Sequence, residues 1–589
     1  MKKQNKIIFS ILGMILICFL FICYKLSFSL SRDQIEKIVI RGEPIAILIV
    51  IFFIVIFLFL ERKKILKLFS KIRGKTFVFL ILIFILGLFL RNAAPHGHRL
   101  YFDEDIYLDM AKQIQQDFRS CLCNFGDENT CFRCEMMKWP AGHPFLFSLP
   151  FFIFGVDEEI AFQFASFVSS ISVILIFFLT YLLTKKEKIA LYSSLFLAIL
   201  PIYILWSTTA TAEPTVLFFS LLSMIFLLIY KEIKSDKTFF LAILGVFLVL
   251  TAKWEAVVFC IPVLIFLFFF LKEDIFQKIV KPNVLIGLFL VIILTFPHFL
   301  HFFYFEHTDS WGASTKEERF SFDVFKQNLN ANTKFWFNYK FWDKNSWIQK
   351  ELFHPIFFTL IAVAGGIFLI LKKKWKIFLI LFLWFFLFFF LYSSFYAGSV
   401  IYGWDARYIL LMVPSFCIFA AFGLFLIENG IKWVFKKFLN NKRINENYII
   451  LTTLFIPILF FLPYFKLIGI PYSKVEEGSD ARLYHDYVTK YAKELQDDCY
   501  FLSHVTSIYT TLNKKHIQIW YIDRPEFNQL LQKGQCIILD EGYWCQPDIA
   551  GTKEICIAIH NRYNLKQVSQ FYNSKHNKYY TFYKILSPK

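Results

Sequence analysis

Charged residues are scarce in this sequence, at 18% of 589, where an ordinary soluble domain carries about 25%. That shortage excludes a soluble globular protein and a disordered chain, and the same arithmetic excludes a collagen and a small disulfide scaffold. The apolar runs lack period-two alternation, which excludes a β-barrel. No glycine-rich phosphate loop occurs; the turn at Gly542 has the wrong spacing, so nucleotide binding is unsupported. Internal repeats are absent as well. The first apolar run follows Lys2, Lys3 and Lys6 but has no small-residue cleavage site after it, so it reads as a retained helix rather than a signal peptide.

What the chain has in abundance is apolar surface: 57% hydrophobic residues, 78 of them phenylalanine. A soluble core cannot hide that many rings, and the composition is that of a polytopic helical membrane protein. A crossing helix needs about 20 mostly apolar residues. Thirteen candidate runs are present, at 7–30, 44–60, 76–91, 159–184, 189–206, 214–230, 238–252, 256–271, 284–303, 353–371, 377–397, 408–428 and 448–465.

Alternating sides from a cytoplasmic amino terminus gives inside segments, among them 61–75 and 372–376, that each carry more Lys/Arg than Asp/Glu. The net charge of +18 is thereby explained by orientation, and no nucleic-acid partner is required. Loop 92–158, loop 304–352 and tail 466–589 then fall outside, and the first of these is acidic. Cysteine agrees: Cys121, Cys123, Cys131, Cys134, Cys499, Cys536, Cys545 and Cys556 all lie in these outer segments and none lies in an inner loop. Two even sets of four suit disulfides in an oxidising compartment; the set from Cys121 to Cys134 also suits a four-thiolate zinc knuckle.

The expected organisation is two amino-terminal spans with a basic loop (1–75), a transmembrane module (76–465) and an extracytoplasmic α/β domain (466–589). In the tail, a helix is expected over 478–496 and strands over 499–504, 516–522, 535–540 and 577–586. The segment 334–347, dense in Trp, Phe and Lys, suits a helix lying in the bilayer interface.

Polar residues that exceed the needs of a helical bundle collect at outer helix ends. Asp103, Glu104 and Asp105 are consecutive and precede an amphipathic stretch. An N-cap needs one acid rather than three. Two chemistries fit: a general base for a hydroxyl or ligation of a hard cation. Glu213 begins the sixth run, Lys253 and Glu255 occupy a tight turn, His298 and His301 close the ninth run, and Asp405, Arg407 and Tyr408 open the twelfth. Ionisable residues at membrane depth are functional candidates. Arg407 at a helix start suits a phosphate, and Lys253 suits the same anion. The inner loops are too short to hold a nucleotide-sugar domain, so a sugar donor would arrive attached to a lipid.

At these residues the sequence resembles the GT-C superfamily of polyprenyl-phosphate-sugar-dependent glycosyltransferases, in the branch of protein O-mannosyltransferases and aminoarabinose transferases. YFDEDIYLDMAKQI at 101–114 is similar to the first-loop Asp-Glu motif, and WPAGHPFLFSLPFFIFG at 139–155, with His143, to the Pro-containing segment that dips toward the membrane. LPIYILWSTTATAEPTVLFF at 200–219 resembles the acid-Pro helix start, and TAKWEAVVFCIPVLIFL and ARYILLMVPSFCIFAAFGL resemble later turns. The likeness spans about 76–428; the tail and the two extra amino-terminal spans lie outside it.

The resemblance implies a catalytic Asp103 with Glu104 as partner, and donor phosphate held by Arg407, Lys253 and Tyr408. Lys253 stands where many relatives carry Arg. Asp105, Glu213, Glu255, His143, His298 and His301 are further active-site candidates. Read as Asp-x-Asp, the tripeptide leaves a divalent metal (Mg, Mn or Zn) open, with Asp103, Asp105, Glu213 and His301 as candidate ligands. The implied reaction is inverting transfer of a sugar from a dolichyl-type polyprenyl phosphate, such as dolichyl phosphate mannose, to a protein, lipid or glycan. A transporter or flippase of lipid-linked substrates is the rival class; it calls for mid-span charges and pseudo-symmetric halves, neither of which is evident.

Overall fold

A computed structural model describes residues 3–279, 281–308, 320–337, 355–396, 398, 404–438, 446–467, 480–495, 498–545, 552–574 and 577–589. Each of the thirteen apolar runs falls on helix over most of its described residues. Among the described residues nine helices are long and apolar enough to cross a membrane, from Arg32–Phe69 to Tyr448–Phe465. Of the other four runs, 7–30 falls on the 27-residue helix Lys3–Ser29 and three form shorter helices. One of them, 189–206, breaks where Pro201 starts a new helix after Glu187–Ile199, because proline has no N–H to continue the ladder. The interface segment expected at 334–347 ends a helix, Phe322–Phe337; its remainder lies outside the described residues.

The bundle sorts its helices by how apolar they are around their circumference. Ala212–Ile233 is buried on nearly every side from Ala212 to Tyr230, as an all-round apolar helix must be. Arg32–Phe69 and Gly74–Ala93 instead leave Phe52, Phe59 and Phe89 about 60% exposed or more. An apolar belt of this kind suits lipid and not water. The protein is a multi-pass membrane protein.

Without a hydrophobic driving force between helices in lipid, close packing decides association. Helices Ile356–Leu371 and Val413–Phe438 meet through two glycines. A Cβ on Gly365 would overlap the carbonyl of Phe419, and one on Gly423 would overlap the carbonyl of Ile361. Gly366, one residue away, has room for a Cβ, with Phe378 3.7 Å away.

Away from the bundle, a seven-stranded sheet has the order β2-β1-β4-β3-β5-β7-β6. Its strands are β1 (Leu122–Gly126), β2 (Cys131–Glu135), β3 (Tyr500–Ser503), β4 (His516–Gln518), β5 (Ile537–Glu541), β6 (Tyr563–Asn573) and β7 (Lys578–Pro588). The central β3 is parallel to β4 and β5, and all other pairs are antiparallel. The expected tail helix appears as Asp480–Glu494 and the expected strands as β3, β4, β5 and β7. β6 was not foreseen. Nor was the sharing of the sheet: the β1–β2 hairpin of the loop 92–158 pairs with β4 through Phe125 and Ile517. Disulfides Cys121–Cys134 and Cys123–Cys131 staple that hairpin, while Cys499–Cys536 and Cys545–Cys556 join parts of the tail. The eight cysteines of the loop and tail are thus all paired.

The glycine crossing yields a test. Gly365→Leu should lower thermal stability in detergent by about 1–3 kcal/mol, the usual range for overpacking. Gly366→Ala should be tolerated. Equal melting temperatures for Gly365→Leu and wild type would show that the helices do not meet there.

Candidate active site

The helix Tyr101–Asp117 has no side-chain cap on its first residue. Glu104 does that work from inside the first turn. Its Oε1 accepts the N–H groups of Arg99 and Leu100, both at 2.8 Å, satisfying donors that a helix start leaves orphaned. Its Oε2 accepts the N–H of Ala210 at 3.1 Å. One carboxylate therefore ties the start of this helix to the segment that leads into Ala212–Ile233, and so fixes Asp103 relative to Glu213.

Glu213 is 2% exposed, and its Oε1 accepts from Lys253 Nζ at 2.5 Å and Arg407 Nε at 2.9 Å. Lys253 is the extended residue between helix Asp236–Ala252 and the 3₁₀ segment Trp254–Phe259; Arg407 lies in the 3₁₀ segment Trp404–Leu411. Tyr408 lies beneath both cations: Lys253 Nζ is 4.4 Å from its ring centre, and Arg407 Nη2 donates to its hydroxyl at 3.1 Å. Tyr408 in turn stacks on Tyr392 at 4.5 Å. Burial would strip the proton from Lys253, but Glu213 and Glu255 outweigh it and hold the ammonium above its ordinary value.

Asp103 faces these groups, its Oδ2 3.8 Å from Arg407 Nη2, and keeps 26% of its side chain exposed. Burial raises its pKa; Arg407, Lys138 and Lys253 oppose that, and Glu213 adds to it, leaving the carboxyl above its usual value. Asp103, Lys138, Lys253, Glu255, Arg407 and Tyr408 line one cavity of about 510 Å³, walled by Trp139, Trp254, Phe302 and Phe395. That size is ordinary for a small-molecule site, and the lining is apolar with convergent charges. The Lys138 segment reaches the site because Gly142 lies against Thr251, so closely that a Cβ would sit 2.5 Å from its carbonyl oxygen.

Lys138 was missed by sequence reasoning; its place just before the Trp-Pro pair at 139–140 was the available signal. Other candidates lie outside the cavity lining. His143 is buried, bonded to Thr215 Oγ1 and the Ala210 carbonyl, both at 2.8 Å, and its ring supports that of Tyr107. His298 and His301 both engage Glu43, at 3.2 and 2.9 Å. The four candidate metal ligands are dispersed. Asp103 and Glu213 flank Arg407, His301 pairs with Glu43, and Asp105 points into a separate group with His98, Glu158 and His485.

The sequence profile of the family described as dolichyl-phosphate-mannose-protein mannosyltransferase matches residues 138–301. The crystal structure of apo ArnT from Cupriavidus metallidurans superposes with a TM-score of 0.51 at 11% identity, covering 87% of this chain and 97% of that one. The fold is that of the GT-C superfamily. In sequence the chain resembles the protein-mannosyltransferase and aminoarabinose-transferase branch. An Archaeoglobus fulgidus oligosaccharyltransferase tethered to an acceptor peptide aligns over 86% of this chain and 74% of that one, at 11% identity and a TM-score of 0.49. No curated protein matches the chain.

The cavity rests on the Glu213 clasp, and removing its carboxylate leaves two buried cations without their shared partner. Glu213→Ala should destabilise the protein by about 3–5 kcal/mol, read as a lowered unfolding midpoint in detergent. Glu255→Gln, at a half-buried position, should change it little. Equal midpoints for Glu213→Ala and wild type would mean that the cations find other partners.

Proposed function

We propose that the protein is a membrane glycosyltransferase that moves a sugar from a polyprenyl-phosphate donor to an acceptor hydroxyl. The observation that carries this reading is the 3.8 Å approach of Arg407 to Asp103 on one aromatic-walled cavity that also holds Lys253 and Lys138. A carboxylate facing three cations across an apolar groove suits a hydroxyl on one side and a phosphate on a lipid tail on the other. The GT-C fold, and the match of part of the chain to mannosyltransferases that use dolichyl phosphate mannose, support the same chemistry.

In this mechanism Asp103 Oδ2 accepts the proton of the acceptor hydroxyl as its oxygen attacks the anomeric carbon. The bond from that carbon to the phosphate oxygen breaks, and its electron pair leaves with polyprenyl phosphate. Arg407, Lys253 and Lys138 stabilise the dianion, in the manner of preorganised charge aimed at a leaving group. A single displacement inverts the anomeric centre. Phosphate needs no general acid to leave. Glu104 and Glu213 act as positioning residues, the first for Asp103 and the second for the cations. The cavity faces the extracytoplasmic side, as the four disulfides of loop and tail support, and the amino terminus is cytoplasmic. The acceptor is a hydroxyl of a protein, lipid or glycan; mannose is the sugar the partial family match favours.

The test is release of polyprenyl phosphate from a panel of polyprenyl-phosphate sugars by the purified protein, given membrane and protein acceptors. Asp103→Asn should lose activity by about 10²–10⁴-fold, the usual worth of a general base, while eluting and melting like wild type. Near-wild-type release by Asp103→Asn would remove the base from the mechanism.

A further inference from the structure

Behind Asp103 lies a second group of side chains that this mechanism does not use. Residues two apart on a helix point about 200° from one another, so Asp105 faces away from the cavity. There it meets His98 from the preceding loop, Glu158 from the start of helix Glu158–Thr184 and His485 from the tail helix Asp480–Glu494. One nitrogen or oxygen from each of the four lies within 4.8 Å of all the others. His98, Asp105 and His485 are buried, and the Glu158 side chain is 21% exposed.

The spacings are longer than those of ordinary hydrogen bonds. His98 Nε2 is 3.7 Å from Asp105 Oδ1 and 3.5 Å from Glu158 Oε2, and His485 Nε2 is 3.4 Å from the same Asp105 oxygen. Hydrogen bonds between nitrogen and oxygen run to about 3.2 Å. Ligands held about 2.0–2.2 Å from a tetrahedral metal stand roughly 3.3–3.6 Å apart; the 3.4 and 3.5 Å pairs match that spacing and the 3.7 Å pair is slightly wider. Asp105 is 1% exposed, and neither of its carboxylate oxygens accepts a hydrogen bond. A buried carboxylate in that state calls for a cation.

The surroundings are those of an outer layer that orients ligands. Glu104 Oε2 stands 3.5 Å from His98 Nδ1, the ring nitrogen turned away from Asp105. Thr511 Oγ1 donates to Glu158 Oε1 at 3.2 Å, leaving Oε2 for the centre. A carboxylate behind a ligating imidazole is a recurrent way of setting its orientation.

We propose that His98, Asp105, Glu158 and His485 form a binding site for a divalent transition-metal ion, zinc by its two-imidazole, two-carboxylate donor set. The ion clasps the tail domain to the helix that carries Asp103. With all four positions supplied by the protein, the site is structural rather than catalytic. It shares no residue with the cavity and does not depend on the glycosyltransferase reading. A buried cluster held only by protonated histidines is the arrangement that the test separates from it.

The test uses the full chain purified in detergent without chelator. Elemental analysis should find about one zinc per chain. Glu158→Gln and His485→Asn should each retain at least about ten-fold less zinc after dialysis. For wild type, stripping with a chelator should lower the melting temperature, and zinc chloride should restore it. This arm needs no variant and guards against variants that fail to fold. The proposal is overturned if wild type holds no zinc and takes up none on titration, or if both variants retain zinc as wild type does.

Discussion

Two cations share one carboxylate oxygen at the floor of the cavity, and most of the surrounding structure serves to keep them there. Lys253 and Arg407 come from segments far apart in sequence, and both reach Glu213 Oε1. Bringing like charges together in a poorly solvated place is costly unless an anion binds them and their hydrogen bonds are met. Glu213 supplies that charge, the face of Tyr408 adds a cation–π contact to Lys253, and the Tyr408 ring stacks on Tyr392. Glu213 is a permanent anionic partner; the open side of the cations, toward Asp103 and Lys138, is where the proposed donor phosphate would sit.

The helix Tyr101–Asp117 is held from both sides, which fixes the position of Asp103. Its first turn is clamped by Glu104 to Ala210. Further along, Asp109 Oδ2 accepts the N–H of Cys123 at 3.0 Å, and Lys112 Nζ donates to the Thr510 carbonyl at 3.0 Å and to Asn513 at 2.8 Å. The β1–β2 hairpin then enters the sheet of the tail. The tail is therefore more than a covering: it shares a sheet and a buried polar seam with the helix that presents Asp103.

Much of this was legible in the sequence because the bilayer makes charges conspicuous. Asp103, Lys253 and Arg407 stood out at the ends of apolar runs, and the structure gathers them around one cavity. Other parts were hidden for physical reasons. Lys138 beside Trp139 looks like any interfacial Lys-Trp pair, and only the contact between Gly142 and Thr251 turns it into the cavity. His98, Glu158 and His485 come from three segments with no shared motif, so no spacing announced them. The pairing of Phe125 with Ile517 is equally long-range, and alternation within a short strand cannot name its neighbour. Helix existence followed from composition, whereas helix length did not: the run 189–206 breaks at Pro201, whose missing N–H ends one helix and starts another, and the helix in the run 353–371 has 16 residues after Pro355.

The central claim is that this cavity holds a lipid phosphate against the Glu213-bound cations. The most direct measurement is equilibrium binding of a radiolabelled polyprenyl phosphate to the purified protein, compared with Arg407→Ala. The account predicts saturable binding at about one site per chain, weakened at least ten-fold in the variant, as loss of a charge-assisted contact requires. Absence of saturable binding, or equal binding by wild type and Arg407→Ala, would contradict it.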